Sequence, residues 1–285
     1  MSTALGITAA ALASCLYNVG LLLQAQASRR EPVGTAFSPG LLGRLVSRRL
    51  WLAGLFTGIA GWPLQAFAFT RAPLTVVQPM LGVGLVIPLL FGARVLGDRV
   101  RQRDVLNVAA VVAGVSMLVA VAPPKHIETT IDARLVIALG LVAALLLASL
   151  LLTITWPGKR GSLLIASAGI GFALSSMTTK LLADATTRHH WVLAAIWLAA
   201  TIVASAAALL GEMNALQIRS AGAVASLVFA VETVVPVALS PLLFGETGNA
   251  SPGALTLRAC GIALAIAASV ALTRAPGVEH ALAES

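Results

Sequence analysis

Residues 135–155, LVIALGLVAALLLASLLLTIT, carry no charge, and their only polar side chains are Ser149, Thr153 and Thr155. A surface helix of a water-soluble domain confines its apolar residues to a stripe recurring every 3.6 residues; here every face is apolar. The medium around such a helix is lipid. Roughly 20 apolar residues span a bilayer. Segments of that kind fall at 5–27, 50–70, 73–93, 105–122, 134–155, 162–183, 191–213, 221–244 and 254–273, so the expected fold is an all-α polytopic membrane protein with about nine transmembrane helices. A spanning sheet would alternate apolar with polar residues, and no such alternation occurs.

The whole chain agrees with that stretch. Its 285 residues are 58% hydrophobic and 11% charged with a mean hydropathy of +0.94, where soluble domains carry roughly 25% charged residues. The net charge of +8 is spread over short interhelical loops and forms no single patch, so no nucleic-acid partner is expected. The partners expected are the lipid bilayer and a small solute or cation. The loops after the first, third, fifth and seventh segments plus the C-terminus hold 13 Lys and Arg against 6 on the other side. Cytoplasmic loops carry that excess, which places the N-terminus outside and the C-terminus in the cytoplasm, in the cell (plasma) membrane. The first segment lacks a basic start and a small-residue cleavage site, so it reads as a retained helix.

A shift of 148 residues lays Arg71 on Arg219, Val76 on Val224, Val86 on Val234, Pro88 on Pro236, Gly97 on Gly245 and Asp98 on Glu246 without a gap. Matches of Arg, Pro and a Gly-acid pair in one register indicate an internal duplication. The matched segments lie five crossings apart, an odd number, so the copies face opposite ways as inverted internal repeats. The division is a first repeat at 1–133, a connecting helix at 134–155 and a second repeat at 156–285.

Intramembrane ionisable residues cost about 2.5 to 3.5 kcal/mol to insert and therefore mark function. Glu232 stands mid-segment, four residues before Pro236, with Gly84 as its repeat partner. It serves either as a solute ligand or proton carrier facing a wet cavity, or as a neutral acid bonded to a neighbouring helix. Glu212 and Asn214 sit near the cytoplasmic end of the seventh segment, where Glu212 reaches a cation or interfacial water. Gln65, Gln78 and Asn18 either line a pathway or join helices by hydrogen bonds. Lys180, near the outer end of its segment, either snorkels to the interface or joins the other polar residues in binding the solute. Pro63, Pro79, Pro88, Pro236 and Pro241 interrupt spans and free backbone carbonyls, which places the pathway at the second and third and the seventh and eighth segments. Arg71, Arg219, Asp98 and Glu246 are at helix ends, and anchoring accounts for them.

Cys15 and Cys260 lie in apolar segments, so buried, inert thiols are expected. In the loop at 28–49, Leu41, Leu42 and Leu45 among Arg44, Arg48 and Arg49 read as a short interfacial helix on anionic lipid or as a basic connector.

The chain resembles the drug/metabolite transporter superfamily, and within it the NIPA-type branch associated with magnesium transport. The resemblance covers roughly 50–125 and 165–273 and rests on particular residues. They are Ala72-Pro73 with Pro79 six residues on, Gly97-Asp98, Ala122-Pro123-Pro124-Lys125, Asn214-Ala215-Leu216 and Phe244-Gly245-Glu246. Gln65 replaces the Asn usual before the Ala-Pro pair, and Trp62 replaces an acidic residue ahead of it. The resemblance implies a transporter of a magnesium-like divalent cation or a small polar metabolite. No phosphate-binding loop, His-Glu-x-x-His or Gly-x-Ser-x-Gly motif is present, so neither an enzyme nor a cofactor is expected. The alternative is a non-transporting membrane partner subunit, which would lack a wet cavity joining the polar residues.

Overall fold

The computed structural model describes residues 2–31, 40–96, 102–121, 131–244 and 251–273. Gly97, Asp98, Pro123, Pro124, Lys125, Gly245 and Glu246 lie outside the described residues. The described chain forms α1 (Ser2–Ser28), α2 (Gly40–Leu45), α3 (Arg49–Arg71), α4 (Leu74–Met80), α5 (Val86–Leu96), α6 (Gln102–Ala120), α7 (Ala133–Thr155), α8 (Arg160–Thr187), α9 (Trp191–Leu216), α10 (Ala221–Leu243) and α11 (Pro252–Thr273). A 3-10 segment, Leu81–Leu85, joins α4 to α5, and no strand occurs among the described residues. Helices satisfy every backbone group internally, as lipid requires. Six of them, α1, α3, α7, α8, α9 and α10, are long and apolar enough to cross a membrane. Polar caps set some of the ends: Asp132 Oδ1 accepts the Leu135 N–H at 2.9 Å to open α7, and Ser220 Oγ accepts the Ala223 N–H at 3.4 Å to open α10.

The stretch 73–93, read from sequence as one helix, is broken at Leu81–Leu85. Pro88 has no N–H to give the Gly84 carbonyl, so the regular ladder fails there. Ser14 of α1 repairs part of the gap: its hydroxyl donates to the Leu81 carbonyl and accepts the Gly84 N–H at 2.8 Å. A Cβ at Gly84 would lie 2.5 Å from the Ser14 carbonyl oxygen, so the α1 backbone excludes any larger residue. The mismatch of Gly84 with Glu232 in the 148-residue register thus has a steric cause.

Helix α1 packs along α3, and α8 packs along α9; α10 lies on α8, while the α4–α5 pair and its 3-10 link lie on α1. Helices α6 and α11 pack on each other, and α7 rests on α8. Small residues permit a close crossing of α1 and α3: a Cβ at Gly20 would stand 2.6 Å from the Gly54 oxygen, and one at Gly54 the same distance from the Gly20 oxygen. Gly54→Ala is expected to lower stability by about 1–3 kcal/mol through overpacking. An unfolding midpoint in detergent equal to the wild type's would contradict this.

Only one stripe of α7 is buried, formed by Leu135, Leu139, Val142, Leu146, Ser149 and Thr153. Its other faces carry exposed Ile137, Leu141, Leu145 and Leu151, which suits a peripheral helix in lipid. In contrast, all of residues 175–185 in α8 are buried. That enclosure corrects the reading of Lys180 as a snorkelling side chain. Lys180 is 0% exposed, and its Nζ meets both carboxylate oxygens of Asp184 at 2.8 and 2.9 Å. Two further expectations change. Cys15 and Cys260 are exposed, on outward helix faces. Leu41 and Leu45 of α2 are fully buried in the cluster that also holds Trp51, Met213 and Leu216, so those two leucines point into the protein and not into lipid.

Candidate functional site

A cavity of about 570 Å³ lies among α1, α3, the Leu81–Leu85 turn, α8, α9 and α10. Leu198, Ile202, Ser205, Leu209 and Glu212 of α9 line it at spacings of three and four residues. One face of α9 therefore follows the cavity for about 21 Å. Ile59 of α3 and Ile202 of α9 are wall residues that are 53% and 59% exposed.

Four of the seven sequence-predicted site residues, Glu232, Glu212, Gln65 and Asn18, share this wall. Glu212 comes from the last turns of α9 and Glu232 from the middle of α10. Glu212 is only 7% exposed, and no hydrogen bond reaches its carboxylate among the described residues. Among the described residues no Lys, Arg or His lines the cavity. Two acids with no basic counterpart make it a place where a cation is the complementary guest.

Glu232 is held at two points. Its Oε1 accepts from Ser176 Oγ at 3.3 Å, and its backbone oxygen accepts from Gln78 Nε2 at 3.0 Å. That backbone oxygen is the one Pro236 leaves without a helical donor, so Gln78 repairs the proline break from outside the wall. Asn214 also lies off the wall, with Nδ2 donating to the Leu210 carbonyl at 2.8 Å. Lys180, paired with Asp184, is likewise absent from the lining.

Beyond Glu212, the end of α1 is tied to the turn between α9 and α10. Ser28 Oγ donates to the Met213 carbonyl at 2.9 Å. Arg29 Nε and Nη2 reach the Leu216 and Arg219 carbonyls at 3.4 and 3.3 Å, and Trp51 Nε1 meets Met213 Sδ at 3.3 Å. Arg48 and Arg44 bind Glu31 just after α1, at 2.7 and 3.2 Å. The Arg48 hydrogen bond, aided by Arg44, holds the Glu31 carboxyl below its ordinary pKa.

A family model described as magnesium transporter NIPA matches residues 2–277. The chain belongs to the NIPA family. No curated protein and no solved structure matches it. Membership in NIPA, together with the apolar helices, makes the chain a multi-pass protein of a membrane transporter family. Every wall residue named above falls within the matched span. Gln65 and Trp62 are both on the cavity wall.

Sequence reasoning placed the pathway at the broken helices and named only Asn18 on α1 and Lys180 on α8. Tyr17, Ser175, Ser176, Thr201 and Ser205 also line the cavity. One signal for α8 was available: the run Ser175, Ser176, Thr178, Thr179 marks a helix buried among others, since small hydroxyl residues favour helix–helix contact in membranes. For Tyr17 the only hint was adjacency to Asn18.

Proposed function

We propose that this NIPA-family protein moves a hydrated divalent cation, magnesium being the ion its family description names, by alternating access through the cavity that holds Glu212 and Glu232. The observation that carries this reading is the pair of acids in a cavity with no basic side chain among the described residues. Magnesium dehydrates reluctantly and is usually held by one or two carboxylates with several waters retained. At about 30 Å³ per water, an ion with six waters occupies about 180 Å³, well within the 570 Å³ present. The described residues contain no cluster of three or more His, Cys, Asp or Glu, which suits an ion that passes through partly hydrated.

The helix packing supports a duplicated architecture. The pairing of α1 with α3 parallels that of α8 with α9, and the packing of α4–α5 on α1 parallels that of α10 on α8. On this reading α4, the 3-10 link and α5 form one broken crossing, and α6 and α11 complete nine. The repeats at 1–133 and 156–285 are inverted around the connecting α7. The N-terminus is outside and the C-terminus cytoplasmic in the plasma membrane, which sets Glu212 toward the cytoplasm.

A second reading has its own observation. Tyr17, Trp62, Phe172 and Phe229 line the same cavity, and aromatic faces with acids suit a small organic cation. Uptake into proteoliposomes separates the two. Magnesium and manganese should accumulate above protein-free vesicles, while tetraalkylammonium ions should not. Organic cation uptake without magnesium uptake would transfer the assignment to the second reading, and no uptake of either would remove transport through this cavity.

A further inference from the structure

Three side chains on three helices lead to Glu232. The Tyr17 hydroxyl on α1 donates to Gln65 Oε1 on α3 at 2.6 Å. Gln65 Nε2 donates to Ser176 Oγ on α8 at 3.3 Å, and Ser176 Oγ donates to Glu232 Oε1 on α10 at 3.3 Å. All the donors point the same way, from one half of the molecule to the other. The order follows from what each group offers. A serine hydroxyl has one hydrogen, and it is available to Glu232 because a lone pair of Ser176 takes the Gln65 N–H. A tyrosine hydroxyl can donate or accept, so the direction is set at the other end: Glu232 Oε1 takes the Ser176 hydrogen, Ser176 accepts from the Gln65 amide nitrogen, and the Gln65 oxygen is left to accept from Tyr17. Without the Tyr17 hydroxyl the Gln65 oxygen loses that donor, and the amide that holds the Ser176 hydroxyl toward Glu232 is anchored at one end only.

We propose that Tyr17, Gln65 and Ser176 are positioning residues for Glu232, and that Tyr17 anchors the far end of the chain although no hydrogen bond joins it to the carboxylate among the described residues. This rests on the reading that Glu232 meets the transported cation. Its consequence is that the solute's affinity depends on a hydroxyl two residues removed from the ligand.

Infrared difference spectroscopy of the purified full chain tests the positioning without any solute. The Glu232 carboxyl band, identified by its loss in Glu232→Gln, should shift in Tyr17→Phe and in Ser176→Ala and return in Ser176→Thr, which keeps the donor. In proteoliposomes, Tyr17→Phe should raise the magnesium concentration for half-maximal uptake roughly 3- to 10-fold, the worth of one hydrogen bond, with the maximal rate little changed. A band that stays in place in both variants would overturn the chain. A shifted band with unchanged half-saturation would overturn its role in affinity. Absence of magnesium uptake by the wild type would sink the transport reading instead, and the spectrum would still report on the chain.

Discussion

A chain carrying Glu212→Gln and Glu232→Gln together is expected to lose magnesium transport by at least about 100-fold while keeping its unfolding midpoint. On the proposed reading each carboxylate would contribute an interaction with the cation, in a cavity lined by no other charged side chain among the described residues. Hydrogen bonds to charged groups are worth about 1.5–3 kcal/mol each; two of them amount to about 3–6 kcal/mol, or a factor of roughly 10² to 10⁴. Glutamine keeps the size and most of the hydrogen-bonding capacity of glutamate. Ser176 retains an acceptor at position 232, and Glu212 has no described hydrogen bond to lose. Stability and transport therefore separate. The measurement is initial uptake by reconstituted protein at matched amount, beside thermal unfolding in detergent. Transport within about threefold of wild type would remove both acids from the pathway. A collapsed unfolding midpoint would show instead that they hold the fold.

The second large effect falls on stability. Lys180→Met is expected to destabilise the protein by about 3–5 kcal/mol, the range found when one partner of a buried ion pair is removed. Lys180 Nζ contacts both oxygens of Asp184 in the enclosed stretch of α8, and the variant leaves a carboxylate there without this ammonium. Replacing both residues, Lys180→Met with Asp184→Leu, should recover most of the loss, because well-packed apolar pairs commonly match buried ion pairs in stability. Neither residue lines the cavity, so the folded double variant should bind the cation with unchanged half-saturation. Unchanged stability of Lys180→Met would show that the pair is not needed to hold α8. A double variant that folds yet loses cation affinity would bring Lys180 into the transport mechanism.

Several features were legible in the residues before any coordinates. Residues 135–155 are apolar on every face and could only be a helix in lipid, and α7 occupies that stretch. The ends of α1, α3, α8 and α9 lie within a few residues of the segments read from hydropathy. Pro79 and Pro88, on either side of Leu81–Leu85, were read as interruptions of the 73–93 span. They did not reveal that Ser14, about seventy residues upstream, would complete its hydrogen bonds. Glu232 and Glu212 were singled out because charge inside a span is expensive, a rule that needs no partner to be known. The same rule also selected Lys180, whose partner Asp184 sits one turn away and keeps it out of the cavity.

By itself the sequence determined that the chain is helical and embedded in lipid, and which few polar groups had to be accounted for inside it. The tertiary structure alone decided which faces meet. In water, an amphipathic stripe announces the buried side of a helix, because solvent and core differ in polarity. In a membrane, lipid and protein interior are both apolar, so a helix such as α7 carries almost no signal separating Leu139, which is buried, from Leu141, which is exposed. The gathering of Tyr17, Gln65, Ser176 and Glu232 from four helices was hidden for the same reason. Their contacts depend on how closely small residues such as Gly20, Gly54 and Gly84 let the backbones approach, a distance that no single segment encodes.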